Sequence, residues 1–144
     1  MLFLRSALVF LNFCSLPVAA LAQSEENKPT GLIMELNTVQ DLGQACRLTF
    51  VIENKTGTAI DEASFETVIF DAAGSVVSLS LFNFRDLPED RLRVRQFLLP
   101  DRDCSSVGKV LINGTNSCKV AGADSSICED GLELQSRTDV ELIG

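Results

Sequence analysis

Three arginines in alternate positions, Arg91-Leu-Arg-Val-Arg95, form the most distinctive charged pattern in this sequence. In an extended chain alternate residues share a face about 6.5–7 Å apart, so Arg91, Arg93 and Arg95 would project together, with Leu92 and Val94 directed inward. Such a stripe suits carboxylates or phosphates, or an acidic protein partner. The structural alternative is a charged outer strand whose arginines pair across strands with acids such as Glu53 or Glu66. Both readings place the stripe at the surface.

Other spacings invite chemistry and do not sustain it. The 144-residue chain contains no His, which removes Ser-His-Asp triads, Cys-His pairs and His-ligated metals. Ser106-Val-Gly-Lys109 matches S-x-x-K and Lys55-Thr56-Gly57 matches K-T-G, two motifs of penicillin-interacting serine enzymes. Their order is reversed, no S-D-N lies between them, and the K-T-G falls in a turn. Asp101-x-Asp103-x-Ser105 begins like a calcium loop, but Ser106 and Ile112 stand where that loop needs Gly and Glu. The cluster Asp124, Ser126, Glu129 and Asp130 reads as solvated loop acids. No catalytic residue, metal site or cofactor is assigned, and the chain is expected not to be an enzyme. With 12 Lys+Arg against 20 Asp+Glu and a formal charge of −8, nucleic acid is an unsuitable partner.

Residues 1–22 have the pattern of a secretory signal. Arg5 precedes an apolar run through Phe13, and Ala20-Leu21-Ala22 supplies small residues before the polar Gln23-Ser24-Glu25-Glu26. The run is too short, and too broken by Asn12 and Pro17, to anchor the chain in a bilayer. No membrane span is expected after cleavage, and the destination is the periplasm or the exterior. Cleavage also removes Cys14. Five cysteines become four, Cys46, Cys104, Cys118 and Cys128, the even number that a disulfide framework needs. Three pairings are open. Cys46–Cys104 and Cys118–Cys128 are favoured, because the second closes a short polar loop with little apolar content of its own. Intervals of 57, 13 and 9 residues between successive cysteines, without any C-x-x-C, argue against a zinc tetrathiolate.

The elements that must position these residues are short and strand-like. Residues 23–30 form a polar leader, and 31–144 read as one domain. Leu32, Met34 and Leu36 alternate with polar or exposed positions. Cys46, Leu48, Phe50 and Ile52 give the clearest one-sided strand. Ser64–Phe70 and Ser75–Phe82 flank an Asp-Ala-Ala-Gly turn and predict a hairpin. Arg91–Leu99, Val107–Asn113 and a final strand within Leu132–Ile143 follow. Ser126 and Glu129 have capping-box spacing for one helical turn ended by Gly131. The rings of Phe82 and Phe84 share a face, most simply the core; Val51 and Phe97 have no such fixed place. Asn54-Lys-Thr56 and Asn113-Gly-Thr115 match glycosylation acceptors and equally suit turns. About seven strands without crossover helices predict an all-β, antiparallel sandwich with disulfides.

The segments Leu48-Thr-Phe-Val-Ile-Glu-Asn-Lys-Thr-Gly57 and Phe65-Glu-Thr-Val-Ile-Phe-Asp-Ala-Ala-Gly-Ser-Val76 resemble the strand–turn–strand core of small secreted immunoglobulin-like modules. With Cys104 and Leu111-Ile-Asn113 in comparable places, the chain is similar to short exported proteobacterial proteins of uncharacterised function with an FxLYD-like β-sandwich. The resemblance spans roughly residues 46–118 and implies an immunoglobulin-like fold. It carries no catalytic residue, and the buried Trp of antibody domains is absent. The expected function is therefore contact with a still unidentified protein partner, as an envelope accessory or an inhibitor-like module. A periplasmic small-ligand or solute-binding domain is the alternative. Exported from its full-length precursor, the protein should begin at Gln23 in an intact-mass measurement; a retained Met1 would contradict the signal assignment.

Overall fold

In the computed structural model residues 30–144 are described; the expected signal 1–22 and nearly all of the leader 23–30 lie outside them. Nine strands form: β1 (Leu32–Asp41), β2 (Ala45–Asn54), β3 (Ile60–Asp71), β4 (Val76–Leu87), β5 (Leu92–Pro100), β6 (Val107–Val120), β7 (Ala123–Asp124), β8 (Glu133–Ser136) and β9 (Glu141–Ile143). One 3-10 turn, Cys104–Ser106, leads into β6. One sheet has the order β5-β2-β1-β8; the other runs β4-β3-β6-β7, with β9 also paired to β6.

The sandwich follows from alternation. In β2 the residues Cys46, Leu48, Phe50 and Ile52 are fully buried, while their neighbours lie on the outer face. Leu32, Met34 and Leu36 do the same in β1, and Phe65, Ile69, Phe82, Phe84, Val110 and Ile112 answer from the second sheet. Each sheet turns one continuous apolar face inward, so two sheets stacked face to face remove both from water. The expected hairpin forms: Asp71 Oδ1 accepts from the amides of Ala73 and Ser75, and Gly74 takes the left-handed conformation at φ 87°.

The strands are not all antiparallel. β8 lies parallel to β1, and β9 lies parallel to β6. The segment expected as one last strand is divided, with β8 in one sheet and β9 in the other. Between them the Ser136 hydroxyl donates to the Val140 carbonyl and accepts the Thr138 amide, while the Thr138 hydroxyl accepts the Val140 amide. These local bonds turn the backbone away from its first sheet. The tail thereby closes one lateral seam of the sandwich.

The capping box at Ser126 is also replaced. The Ser126 hydroxyl donates to Asp130, and Glu129 instead accepts the backbone amide of Thr115 in β6 at 2.9 Å. One helical turn remains, with the Asp130 amide bonded to the Ser126 carbonyl and Gly131 at φ 68° ending it. Glu129 is drawn away because, on the side of β6 not paired to β3, the stretch between the β9 and β7 ladders has no strand neighbour and Thr115 lies within it.

Two disulfides, Cys46–Cys104 and Cys118–Cys128, lie at opposite ends of β6. The first ties β2 of one sheet to the approach of β6 in the other. The second fastens the 119–127 loop to β6. Sequence separations of 58 and 10 residues give about 4 and about 3 kcal/mol of loop-entropy stabilisation respectively. Replacing Cys46 and Cys104 together by Ala should therefore lower the urea-unfolding free energy more than replacing Cys118 and Cys128; the reverse order would place the restraint in the short loop.

Candidate functional site

The surface that merits attention is the second lateral seam, where the edge strands β4 and β5 meet. Five phenylalanines lie beneath it. Phe97 of β5 stacks on Phe82 of β4 with centroids 4.1 Å apart and planes 7° from parallel. Phe50 meets Phe82, Phe84 and Phe97 edge-on at 5.6–6.0 Å, and Phe65 meets Phe84 at 5.7 Å. Offset and edge-on contacts of this kind contribute beyond the area they bury.

Strand β5 adopts the opposite phase from the one expected. Arg93, Arg95, Phe97 and Leu99 pair with Ile52, Phe50, Leu48 and Cys46, which are the inward residues of β2. Leu92, Val94 and Leu98 therefore point outward, 59, 56 and 58 % exposed. The reason is that Leu92-Arg-Val-Arg-Gln-Phe-Leu-Leu99 contains apolar residues in both phases. Burial of Phe97 and Leu99 against β2 outweighs burial of Leu92 and Val94 at the strand's exposed start.

The arginine stripe is corrected accordingly. Arg91 precedes β5 and is exposed, whereas Arg93 and Arg95 lean across the seam. Arg95 Nε donates to the Phe84 carbonyl at 2.7 Å, and its NH2 group reaches the Asp86 carbonyl at 3.3 Å. The Asp86 carboxylate also holds Arg93 at 3.5 Å and Arg95 at 3.6 Å. Neither Glu53 nor Glu66 is a partner: Glu53 pairs with Lys55 at 2.7 Å, and Glu66 accepts from Asn113. The guanidinium groups also donate to their own strand's carbonyls, Arg93 to Leu92 and Arg95 to Val94. Exposed edge carbonyls on both strands are thus occupied by side chains, which blunts that end of the seam.

Beyond the clasp the seam opens into a groove of about 770 Å³, lined by Leu81, Asn83, Arg85, Val94, Arg95, Gln96 and Phe97. Its charged lining consists of Arg85 and Arg95. Arg85 sits at φ 62°, beside the point where the β3–β4 register shifts.

Asn54 is a buried residue that the sequence presented only as a turn or a glycan acceptor. It is wholly buried, and its amide donates to the carbonyls of Thr58 and Leu87, both at 2.8 Å. Its side-chain oxygen accepts from the Thr56 amide and hydroxyl, and its own carbonyl accepts the Asp90 amide. Asn54 therefore welds the β2–β3 turn to the β4–β5 turn, and in the folded protein its nitrogen is committed. A spacing rule identifies Asn-x-Thr but cannot show both donors engaged.

The remaining motif residues serve local structure. The Ser106 hydroxyl donates to the Asp103 carbonyl, Lys109 pairs with Glu141, and Asp41 accepts the Cys104 amide. Among the described residues no three His, Cys, Asp or Glu side chains converge as a metal site. Glu35 is held below its ordinary range by hydrogen bonds from Asn37 and then Arg137; Lys55 and Lys119 are raised by bonds to Glu53 and Asp124. All three belong to surface pairs away from the groove.

Two further surfaces remain. A cavity of about 230 Å³ lies between β6 and β8, lined by Phe65, Ile112, Thr115, Glu129, Leu132 and Leu134. The Thr115 hydroxyl is buried there without a partner. On the outer face of the β4-β3-β6 sheet, Leu79, Val68, Leu111 and Ile143 form one cross-strand apolar row. No protein-family model, curated protein or solved structure matches the chain.

Arg95→Gln should lower unfolding free energy by about 1–2 kcal/mol, because two edge carbonyls and Asp86 lose a charged donor. Arg91→Gln should change it by less than about 0.5 kcal/mol. Urea titration of both variants tests this; equal losses would deny the clasp.

Proposed function

We propose that this chain is an exported, non-enzymatic, immunoglobulin-like β-sandwich module that acts through protein–protein contact in the periplasm or outside the cell. An envelope accessory role and an inhibitor-like role are both compatible with that mode of action. The observation that carries the reading is the β4/β5 seam, where Leu81 and Val94 stay more than half exposed in a groove beside two sheet edges. Exposed apolar residues next to unpaired edge strands are costly to a protein that meets no partner, since they invite aggregation. The arginine clasp blunts one end of the seam and leaves the groove accessible.

Export is supported by the signal-like first 22 residues, the even cysteine number that their removal leaves, and two disulfides. Among the described residues no helix is long and apolar enough to cross a membrane. The immunoglobulin-like reading draws on the two-sheet architecture and on the Asn54-Lys-Thr-Gly57 and Phe70-Asp-Ala-Ala-Gly74 turns. The small-ligand alternative has one specific support, the unpartnered Thr115 hydroxyl in the apolar cavity beside β8.

Lysine cross-linking of exported extract, followed by sizing and mass spectrometry, tests the proposal. One defined second protein should co-elute with the chain in a complex larger than the free module. A chain that elutes only by itself, cross-linked to nothing reproducible, would overturn the contact reading and favour the ligand alternative.

A further inference from the structure

The groove at the β4/β5 seam has a definite chemical character. The chain carries 20 acids against 12 bases, yet the groove is lined by two guanidinium groups and no carboxylate. Leu81, Val94 and Phe97 supply apolar walls between Arg85 and Arg95. Arg85 forms no ion pair among the described residues, whereas Arg95 is already shared with Asp86.

The edge of β4 adds directional backbone groups. Its Phe84 carbonyl points out of the sheet, since Arg95 reaches it from across the seam. β4 is the edge strand of its sheet, so among the described residues its outward backbone groups beyond that point have no partner strand. Arg95 occupies the edge at Phe84 and Asp86, and the open stretch begins beside Leu81, where the groove lies.

We propose that this groove takes an extended acidic segment of a partner protein, added as a strand along β4. The proposal rests on the protein-contact reading above and names its surface and its partner's chemistry. Main-chain bonds to the edge would supply affinity, and alternate side chains would supply selection. Side chains on one face of the added strand meet Leu81 and Arg85; those on the other meet Phe97 and Arg95. Carboxylates on that strand would neutralise the guanidinium groups as apolar residues cover the walls. A second copy of this chain at this edge would offer the same two groove guanidinium groups and no groove carboxylate to neutralise them, so charge favours a different, acidic chain.

The chain has no Trp or Tyr, so a fluorescein-labelled decapeptide of alternating Glu and Val serves as probe, read by anisotropy with the full exported chain. Saturable binding is expected, weakening about tenfold between about 0.05 and about 0.5 M salt. Arg85→Glu and Val94→Glu should each weaken it by about tenfold or more. Leu98→Glu, which adds the same charge on β5 outside the groove, should leave affinity within about twofold. If Arg85→Glu loses its β-sheet circular dichroism, Val94→Glu carries the comparison. The proposal is overturned if wild type does not bind the peptide, if a Lys/Val decapeptide binds equally, or if Leu98→Glu is as damaging as the groove variants. Sedimentation with phosphatidylglycerol vesicles in the absence of peptide binding would overturn it in favour of a membrane surface. A failed peptide titration alongside successful partner co-elution would remove only the groove, leaving the contact reading intact.

Discussion

A two-sheet sandwich has two lateral seams, and everything distinctive about this protein follows from closing them by different means. At one seam the tail changes sheets between β8 and β9, so the backbone itself bridges the layers in parallel ladders. At the other, β4 passes to β5 through a short turn, and side chains do the bridging: Phe97 on Phe82, then Arg95 on the Phe84 and Asp86 carbonyls. Ladder closure leaves few free edge groups, whereas side-chain closure covers only the groups it reaches. The second seam is therefore the one that keeps unpaired edge backbone among the described residues.

The two ends of that seam are held independently. Asn54 connects two turns through fully satisfied buried hydrogen bonds, fixing where β4 finishes and β5 begins. Satisfied in this way, a buried amide rigidifies; with one partner missing it would be costly. Near the other end of β5, Leu99 sits opposite Cys46, whose disulfide reaches Cys104. The groove thus lies between two anchored points, which keeps an exposed edge from slipping register or swapping. A rigid edge is also a favourable platform for recognition, since little ordering remains to oppose binding.

Much of the fold was legible. One-sided alternation identified β2 and its inward set, the Asp-Ala-Ala-Gly turn identified the β3–β4 hairpin, and loop composition favoured the disulfide pairs that form. Other features were not legible because they depend on competition between distant groups. Arg91–Leu99 satisfies both phases of a period-two pattern, and the choice lies with the inward face of β2, some forty residues earlier in the chain. Glu129 had a local capping partner in Ser126 but a better one in the Thr115 amide, which lies between the β9 and β7 ladders on β6. Asp86 lies beyond the expected Ser75–Phe82 strand and proved to be the arginines' partner, because β4 continues through it.

By itself the sequence determined the class of structure and the chemistry closed to it. Alternating apolar residues require one-faced strands, turn residues require reversals, and a chain without histidine excludes the mechanisms that depend on imidazole. Those are local or compositional facts, and no arrangement in space can alter them. Only the tertiary structure decided which face of β5 is buried, which sheet receives each half of the tail, and that two arginines stand over an open edge. Each is a choice among locally equivalent alternatives, settled by contacts between residues far apart in the chain.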